Sequence, residues 1–192
     1  MLHYIKTQRL CLQRWNDKNL DAFHTLTSNP LVVRWVDDGR TLNRKETADR
    51  INQVNVDIDR WGFGIHAVVE RNSDAIIGWA GLIHSQHAQA HDEAEILFVF
   101  SPSSWGKGYA TEILNAMVEW AWTHSSLQRI VATVYPQNLA SQQVMHKHGF
   151  QRRGNLIDAT GLQEIHFDLH RQPRHSRKTH HTTANTPATF TS

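Results

Sequence analysis

Cysteine, proline and long apolar runs are all scarce in this 192-residue chain, which has one cysteine and five prolines. A lone Cys11 excludes an intrachain disulfide framework and a cysteine-rich zinc module. It makes a reducing, cytoplasmic location the simplest expectation. No stretch approaches the roughly 20 apolar residues of a membrane helix. The first residues also lack the apolar core of a signal peptide, so no membrane partner is expected. A strong charge of one sign is missing as well, because the formal net charge is only +2. Residues 171–192 hold four basic residues and no acid, while the first 170 hold 16 basic and 18 acidic residues. Charge therefore gives no reason to expect a nucleic-acid partner.

What is present suits one domain. The chain is 40% hydrophobic, and a chain of this size buries roughly 70% of the surface it exposes when unfolded. We place the domain at residues 1–170. Residues 171–192 contain six threonines and two prolines, with no helical or strand period. They read as a disordered basic tail.

A strand around Arg9–Trp15 should put Leu10, Leu12 and Arg14 on one face. Asn16 or Asp17 can cap a helix carrying Leu20, Phe23 and Leu26. Asn43 followed by Glu46 has capping-box spacing, and the helix behind it offers Ala48, Ile51, Asn55 and Ile58 on one side. Strands at Phe63–Glu70 and Ala75–His84 flank a turn at Arg71–Asp74. The apolar strand Glu93–Ser101 is stopped by Pro102. A helix then repeats Ala110, Ile113, Leu114, Met117, Val118 and Ala121 on one stripe. The strand Arg129–Tyr135 follows, and this strand–helix–strand unit should make a parallel pair. A helix from Asn138 to His148 ends at Gly149, a natural C′ residue. Two strands, Gln151–Ile157 and Gln163–His170, close the domain. The pattern is α/β: a mixed, mainly antiparallel sheet with a central parallel pair and flanking helices.

The segment Trp105-Gly106-Lys107-Gly108-Tyr109-Ala110 joins the first parallel strand to its helix. Glycines there let amides converge, and the helix dipole adds positive potential, so the loop can seat a pyrophosphate. A glycine turn before a helix can also serve backbone geometry alone. A P-loop needs four residues between its glycines and a following Lys-Ser/Thr, which this segment lacks. A dinucleotide fingerprint needs a third glycine where Thr111 stands.

In order, the chain carries Thr7-x-Arg9-Leu10-x-Leu12-x-Arg14, Gly78-Trp79-Ala80-Gly81-Leu82 and Ala94-Glu95-Ile96. Pro102-x-x-Trp105-Gly106-Lys107-Gly108-Tyr109-Ala110-Thr111-Glu112 comes next. Arg129-Ile130, Asn138-x-x-Ser141 and Lys147-His148-Gly149-Phe150 complete the series. Over about residues 7–170 this resembles the GCN5-related N-acetyltransferases (GNAT), in the branch of bacterial ribosomal-protein N-terminal acetyltransferases. The resemblance implies a splayed central pair of strands and acetyl-CoA as co-substrate, with no metal. Backbone groups near Phe98, Val99 and Phe100 would hold the pantetheine arm and the acetyl carbonyl. Amides from Gly106 through Lys107, Gly108, Tyr109 and Ala110 to Thr111 would hold the pyrophosphate. Asn138 would contact the pantetheine arm. Trp105 stands where the family loop has arginine or glutamine, which removes one side-chain contact.

Acyl transfer to an amine needs a group to take the ammonium proton and a donor for the departing thiolate. The resemblance places Glu95 near the acceptor; a solvent-facing acid at a strand start is the alternative. Asp92, Glu93 and His91 are nearby substitutes. Many relatives have a tyrosine where Met145 stands, so Ser141 is the candidate partner of the sulfur, unless its hydroxyl merely serves the helix start. Tyr135 is a further donor candidate. His84, His87 and His91 have spacings that could chelate zinc, but an acceptor-side loop is the expected reading. His66 either lines the acceptor groove or fills the core. Trp35 and Trp61 lie in segments that border the acceptor in this family, and Trp120 and Trp122 can cover the sheet or a dimer surface. The expected acceptor is a primary amine, nearest to a protein or peptide N-terminus, with a small-molecule amine open. The protein could be a monomer or homodimer. A non-catalytic acyl-CoA sensor on the same fold is the rival reading.

Overall fold

The computed structural model describes residues 5–85, 87–88, 90–158 and 161–172. Most of the expected tail, from residue 173, lies outside the described residues. Arg171 does not: its backbone N–H donates to Gln128 O at 2.9 Å, and its guanidinium reaches the Trp122 carbonyl.

A two-residue strand β1 (Ile5–Lys6) precedes β2 (Leu10–Gln13), in which Leu10 and Leu12 are fully buried. Asn16 caps a short 3-10 turn that runs into α1 (Leu20–Thr27), with Phe23 and Leu26 inward as the pattern predicts. Sequence periodicity misses the next element, α2 (Pro30–Val33). Four residues are too few to display a period, but Asn29 caps the Leu31 amide and Pro30 supplies a preset φ at the first position.

The capping box of α3 (Arg44–Trp61) forms as expected from Asn43 and Glu46. The buried stripe is rotated, however, to Thr47, Ile51 and Val54. Thr47 is drawn in by a 3.0 Å hydroxyl contact with Thr27. Asn55 stays at the margin, donating to Trp15 O at 3.1 Å.

The rest follows the predicted order. The hairpin strands β3 (Ile65–Glu70) and β4 (Ala75–Ile83) lead to β5 (Glu93–Phe100), then α4 (Tyr109–His124) and β6 (Arg129–Val134). Helix α5 (Leu139–Lys147), β7 (Gln151–Ile157) and β8 (Gln163–His170) complete the domain. The eight strands form one sheet in the order β1-β2-β3-β4-β5-β6-β8-β7, in which β5–β6 is the parallel pair.

Register divides the faces. One face carries Ala94, Ile96 and Phe100 of β5, Ile130, Ala132 and Val134 of β6, and Ile165 and Phe167 of β8. Helix α4 covers this face with Ile113, Leu114, Met117 and Ala121, all at 0% exposure. Each large apolar side chain buried there stabilises the fold by roughly 1.5–3 kcal/mol. On the opposite face, α1–α3 cover only the first half of the sheet, packing Phe23, Val32, Ile51 and Val54 on Ala67, Val69 and Trp79. Beyond β5 that face is polar. Arg129 bridges Glu93 at 2.8 Å and Asp168 at 3.2 Å, and Arg153 meets Asp168 at 2.7 Å. Asp168 is only 3% exposed. Burial alone would raise its carboxyl, but the bonds and charges of Arg153 and Arg129 hold it below the usual carboxylate range.

Candidate active site

The parallel ladder between β5 and β6 is short. It pairs Glu93 with Arg129, Ala94 with Ile130 and Glu95 with Val131, and then stops. β5 continues to Phe100 along β4, and β6 continues to Val134 along β8. The two strands therefore splay after Glu95. The β5 edge from Ile96 to Val99 faces a gap instead of a ladder partner, which leaves its outward backbone groups without a strand partner among the described residues and open to a ligand. Gly78 allows this path: a Cβ there would lie 2.1 Å from Val99 O.

The glycine loop closes one end of the gap. Gly106 and Gly108 have φ of 73° and 77°, a region that glycine alone enters cheaply. Gly108 is the N-cap of α4 and offers no side chain to the first-turn amides. The amides of Tyr109, Ala110 and Thr111 thus lack intrahelical partners and point outward with the positive end of the dipole. The loop is held from behind. Arg9 Nη1 donates to Lys107 O at 2.9 Å, while Arg9 Nε and Thr7 Oγ1 each donate to Glu112 at 2.6 Å. Trp105 donates its indole N–H to Phe100 O at 2.8 Å and so ties the loop to the end of β5. The Arg34 guanidinium stands 5.0 Å from the Trp35 ring and 6.0 Å from the Trp105 ring.

The gap widens into a cavity of about 1160 Å³. Glu95 and Ser141 both line it, with Phe98, Val99 and Phe100 along one wall. Trp105, Gly106, Gly108, Tyr109, Ala110, Thr111 and Asn138 surround the loop end. Lys107 is not among the lining residues. Asn138 accepts from the Ser141 amide at 3.2 Å and caps α5. The Ser141 hydroxyl has no hydrogen-bond partner among the described residues, which leaves it available to the cavity.

Three polar residues at the far end, Thr133, Asp158 and Glu164, had no sequence signal. Thr133 donates to Glu95 Oε1 at 2.8 Å, leaving the other carboxylate oxygen open to a proton donor. Tyr135 donates to Asp158 Oδ2 at 2.7 Å. Burial first, and then that bond and charge, push its phenol well above its ordinary range. The same hydroxyl also approaches Asp37 O at 3.1 Å, so in this structure Tyr135 is engaged with Asp158 and Asp37. Glu164 is only 8% exposed, and its Oε2 is buried with no hydrogen bond among the described residues. His87 Nε2 lies 3.8 Å from that oxygen. Burial raises the Glu164 carboxyl; His87 pulls it down, the charges of Glu95 and Asp158 push it up again, and the Thr133 hydroxyl beside it lowers it slightly.

The three loop histidines separate. His87 faces this cavity, whereas His84 stacks 4.3 Å from Trp61 and lines a second cavity with His91. Among the described residues no group of three or more His, Cys, Asp or Glu could hold a metal. His66 belongs to the core at 3% exposure, with its Nδ1 2.9 Å from Gly64 O. Met145 is buried at 2%. Trp35 borders the cavity and packs on Tyr135, with ring centroids 5.9 Å apart.

Residues 9–151 match the family model described as an acetyltransferase (GNAT) domain. The chain belongs to the GNAT acetyltransferases. It is an acetyl-CoA-dependent acyltransferase. The uncharacterized N-acetyltransferase YnaD of Bacillus subtilis is 30% identical over 151 residues, covering 79% of this chain and 84% of that protein. Two solved structures share the GNAT fold. The ribosomal L7/L12 alpha-N-protein acetyltransferase RimL, in complex with coenzyme A, superposes with TM-score 0.74 at 17% identity, over 85% of this chain and 95% of that one. A spermidine N-acetyltransferase from Vibrio cholerae, with CoA and spermine, gives 0.71 at 19% identity, over 85% and 96%.

Proposed function

We propose that this GNAT domain transfers the acetyl group of acetyl-CoA to a primary amine by direct attack, with Glu95 as proton acceptor and Ser141 as the hydroxyl beside the sulfur. One observation carries the reading: free helix amides, an open strand edge and a half-buried carboxylate share one cavity. The residues fit the co-substrate. Outward amides of Gly106–Thr111 suit a pyrophosphate, and the open β5 edge suits an amide-bearing arm through strand-like hydrogen bonds. Backbone N–H groups on that edge are fixed donors for a carbonyl oxygen that gains charge.

The acceptor arrives as an ammonium ion and cannot attack until it loses a proton. Glu95, held at one oxygen by Thr133, takes that proton through its other oxygen, directly or through a water. The amine nitrogen then bonds to the acetyl carbon as the carbon–sulfur bond breaks. The Ser141 hydroxyl donates to the departing sulfur and is reprotonated by the second proton that the nitrogen sheds as it becomes an amide. The balance is an N-acetyl amide, free CoA and one proton released.

The likeness to the ribosomal-protein enzyme favours an N-terminal amino group of a protein or peptide. A small-molecule amine is the second reading, favoured by the enclosed carboxyl groups of Asp158 and Glu164 beside Glu95. CoA release from acetyl-CoA should be measured against N-terminal peptides, amino acids and amines. Release should depend on acceptor, and Glu95→Gln should lower kcat/KM by about 10²–10⁴-fold with CoA affinity unchanged. CoA binding with no release for any acceptor would instead support the non-catalytic sensor.

A further inference from the structure

Glu164 has no assigned task in acetyl transfer, yet it places a buried carboxyl in the cavity wall. It sits on β8, 8% exposed, with the Thr133 hydroxyl beside its carboxyl and Oε2 buried with no hydrogen bond among the described residues. Burying a carboxyl without full hydrogen bonding costs several kcal/mol unless a proton or a cation neutralises it. The other charges in the cavity wall are largely matched. Asp37 is paired with Arg50 at 2.7 Å, and Arg40 is paired with Glu46 at 2.9 Å. Asp158 accepts from Tyr135 and from the Leu162 amide. Glu95 has the Thr133 hydroxyl. The His87 ring lies 3.8 Å from Glu164 Oε2, beyond hydrogen-bond distance, and no lysine or arginine forms an ion pair with Glu164 among the described residues.

We propose that Glu164 is the seat of a second ammonium group, so that the acceptor is a small diamine or polyamine held by Glu164 at one nitrogen while Glu95 receives the proton of the other. The inference rests on the acetyl-transfer reading above. It separates the two carboxyl groups by task. Glu95 is beside the open β5 edge, where the acetyl carbon must lie, and takes one proton per turnover. Glu164 lies across β6 on β8 and exchanges none; it forms an ion pair with a nitrogen that does not react. A neutral N-terminal peptide would leave Glu164 facing an uncharged backbone, with its charge still unmatched.

The test compares 1,4-diaminobutane, butylamine and a C-terminally amidated tripeptide with a free N-terminus and uncharged side chains, by calorimetric binding to the full chain in the presence of CoA and by CoA release from acetyl-CoA. The diamine should bind about 10- to 100-fold more tightly than butylamine, the size expected of one charge-assisted bond. Glu164→Gln keeps the side chain's shape and should erase that preference, with CoA affinity and butylamine binding as in the parent. Raised salt should weaken the diamine more than the monoamine. Equal binding of the two amines, a preference that survives in Glu164→Gln, or stronger binding of the tripeptide would each overturn the proposal. Glu164-dependent diamine binding without CoA release would support the seat and overturn the acetyl-transfer reading instead. CoA affinity reports folding of the variant. Should Glu164→Gln lose it, Glu164→Asp, which withdraws the charge by one methylene, should still weaken the diamine selectively; an unchanged preference there also overturns the proposal.

Discussion

Replacing Asp168 by asparagine removes the charge at the junction of β6, β7 and β8. The carboxylate lies within 2.7 Å of Arg153, 3.2 Å of Arg129 and 3.3 Å of His170. An asparagine oxygen can serve one of these donors, and its amide then confronts the other arginine. Removing one partner of a buried pair costs about 3–5 kcal/mol. Arg129 keeps Glu93, and the Arg153 side chain is 46% exposed and can turn to water. The lower end, about 3 kcal/mol, is therefore expected. In a chain of this size that corresponds to a fall in Tm of roughly 6–12 °C. The carboxyl is held below its ordinary range when folded, so its contribution is full above about pH 4 and is lost as pH falls through the folded-state value. Urea midpoints from pH 7 to 5 should show a constant gap between parent and variant, narrowing below pH 4. Because this lattice holds β8 beside β6, diamine binding should weaken with stability. A variant within about 0.5 kcal/mol of the parent at pH 7 would refute the claim that these charges anchor the polar half of the sheet.

Three further outcomes are expected. Gly108→Ala must hold φ near 77° while its new Cβ meets only Arg9 at 3.7 Å, so the cost is conformational. It should lower stability by about 1 kcal/mol and CoA affinity several-fold; unchanged calorimetric CoA binding would remove the loop from the pyrophosphate site. His66 is lowered to about 4, chiefly by burial, so stability should be full above about pH 6.5 and fall by on the order of 3 kcal/mol towards pH 4. His66→Asn keeps a donor for Gly64 and should show a flatter stability–pH curve in that window. Asn43→Ala removes the cap of α3 and should cost about 1 kcal/mol in urea denaturation, with no change in KM for acetyl-CoA.

The order of elements, the parallel pair and the loop before α4 follow from sequence because their causes are local. Period-two apolar strands, the Ile113–Ala121 stripe, the Asn43–Glu46 box and Gly149 act through neighbours within a few residues. Glu95 and the loop came from ordered motifs in one strand–helix unit, and Ser141 with Asn138 from the start of the following helix. The remainder is decided by packing. Thr47 replaces Ala48 on the buried stripe because α1 brings Thr27 to it. Glu164, His166, Asp168 and His170 alternate with apolar residues as on any solvent-facing strand, so nothing local marks the first as buried. Glu164 acquires its environment only when β8 inserts beside β6 and the β4–β5 loop brings His87 over it. Thr133 meets Glu95 across 38 residues of sequence, where spacing carries no information. Local sequence determined every strand and helix except β1 and α2 and marked the glycine loop proposed for a pyrophosphate; the tertiary structure decided which carboxyl groups share the cavity, because burial and charge pairing are properties of distant segments brought together.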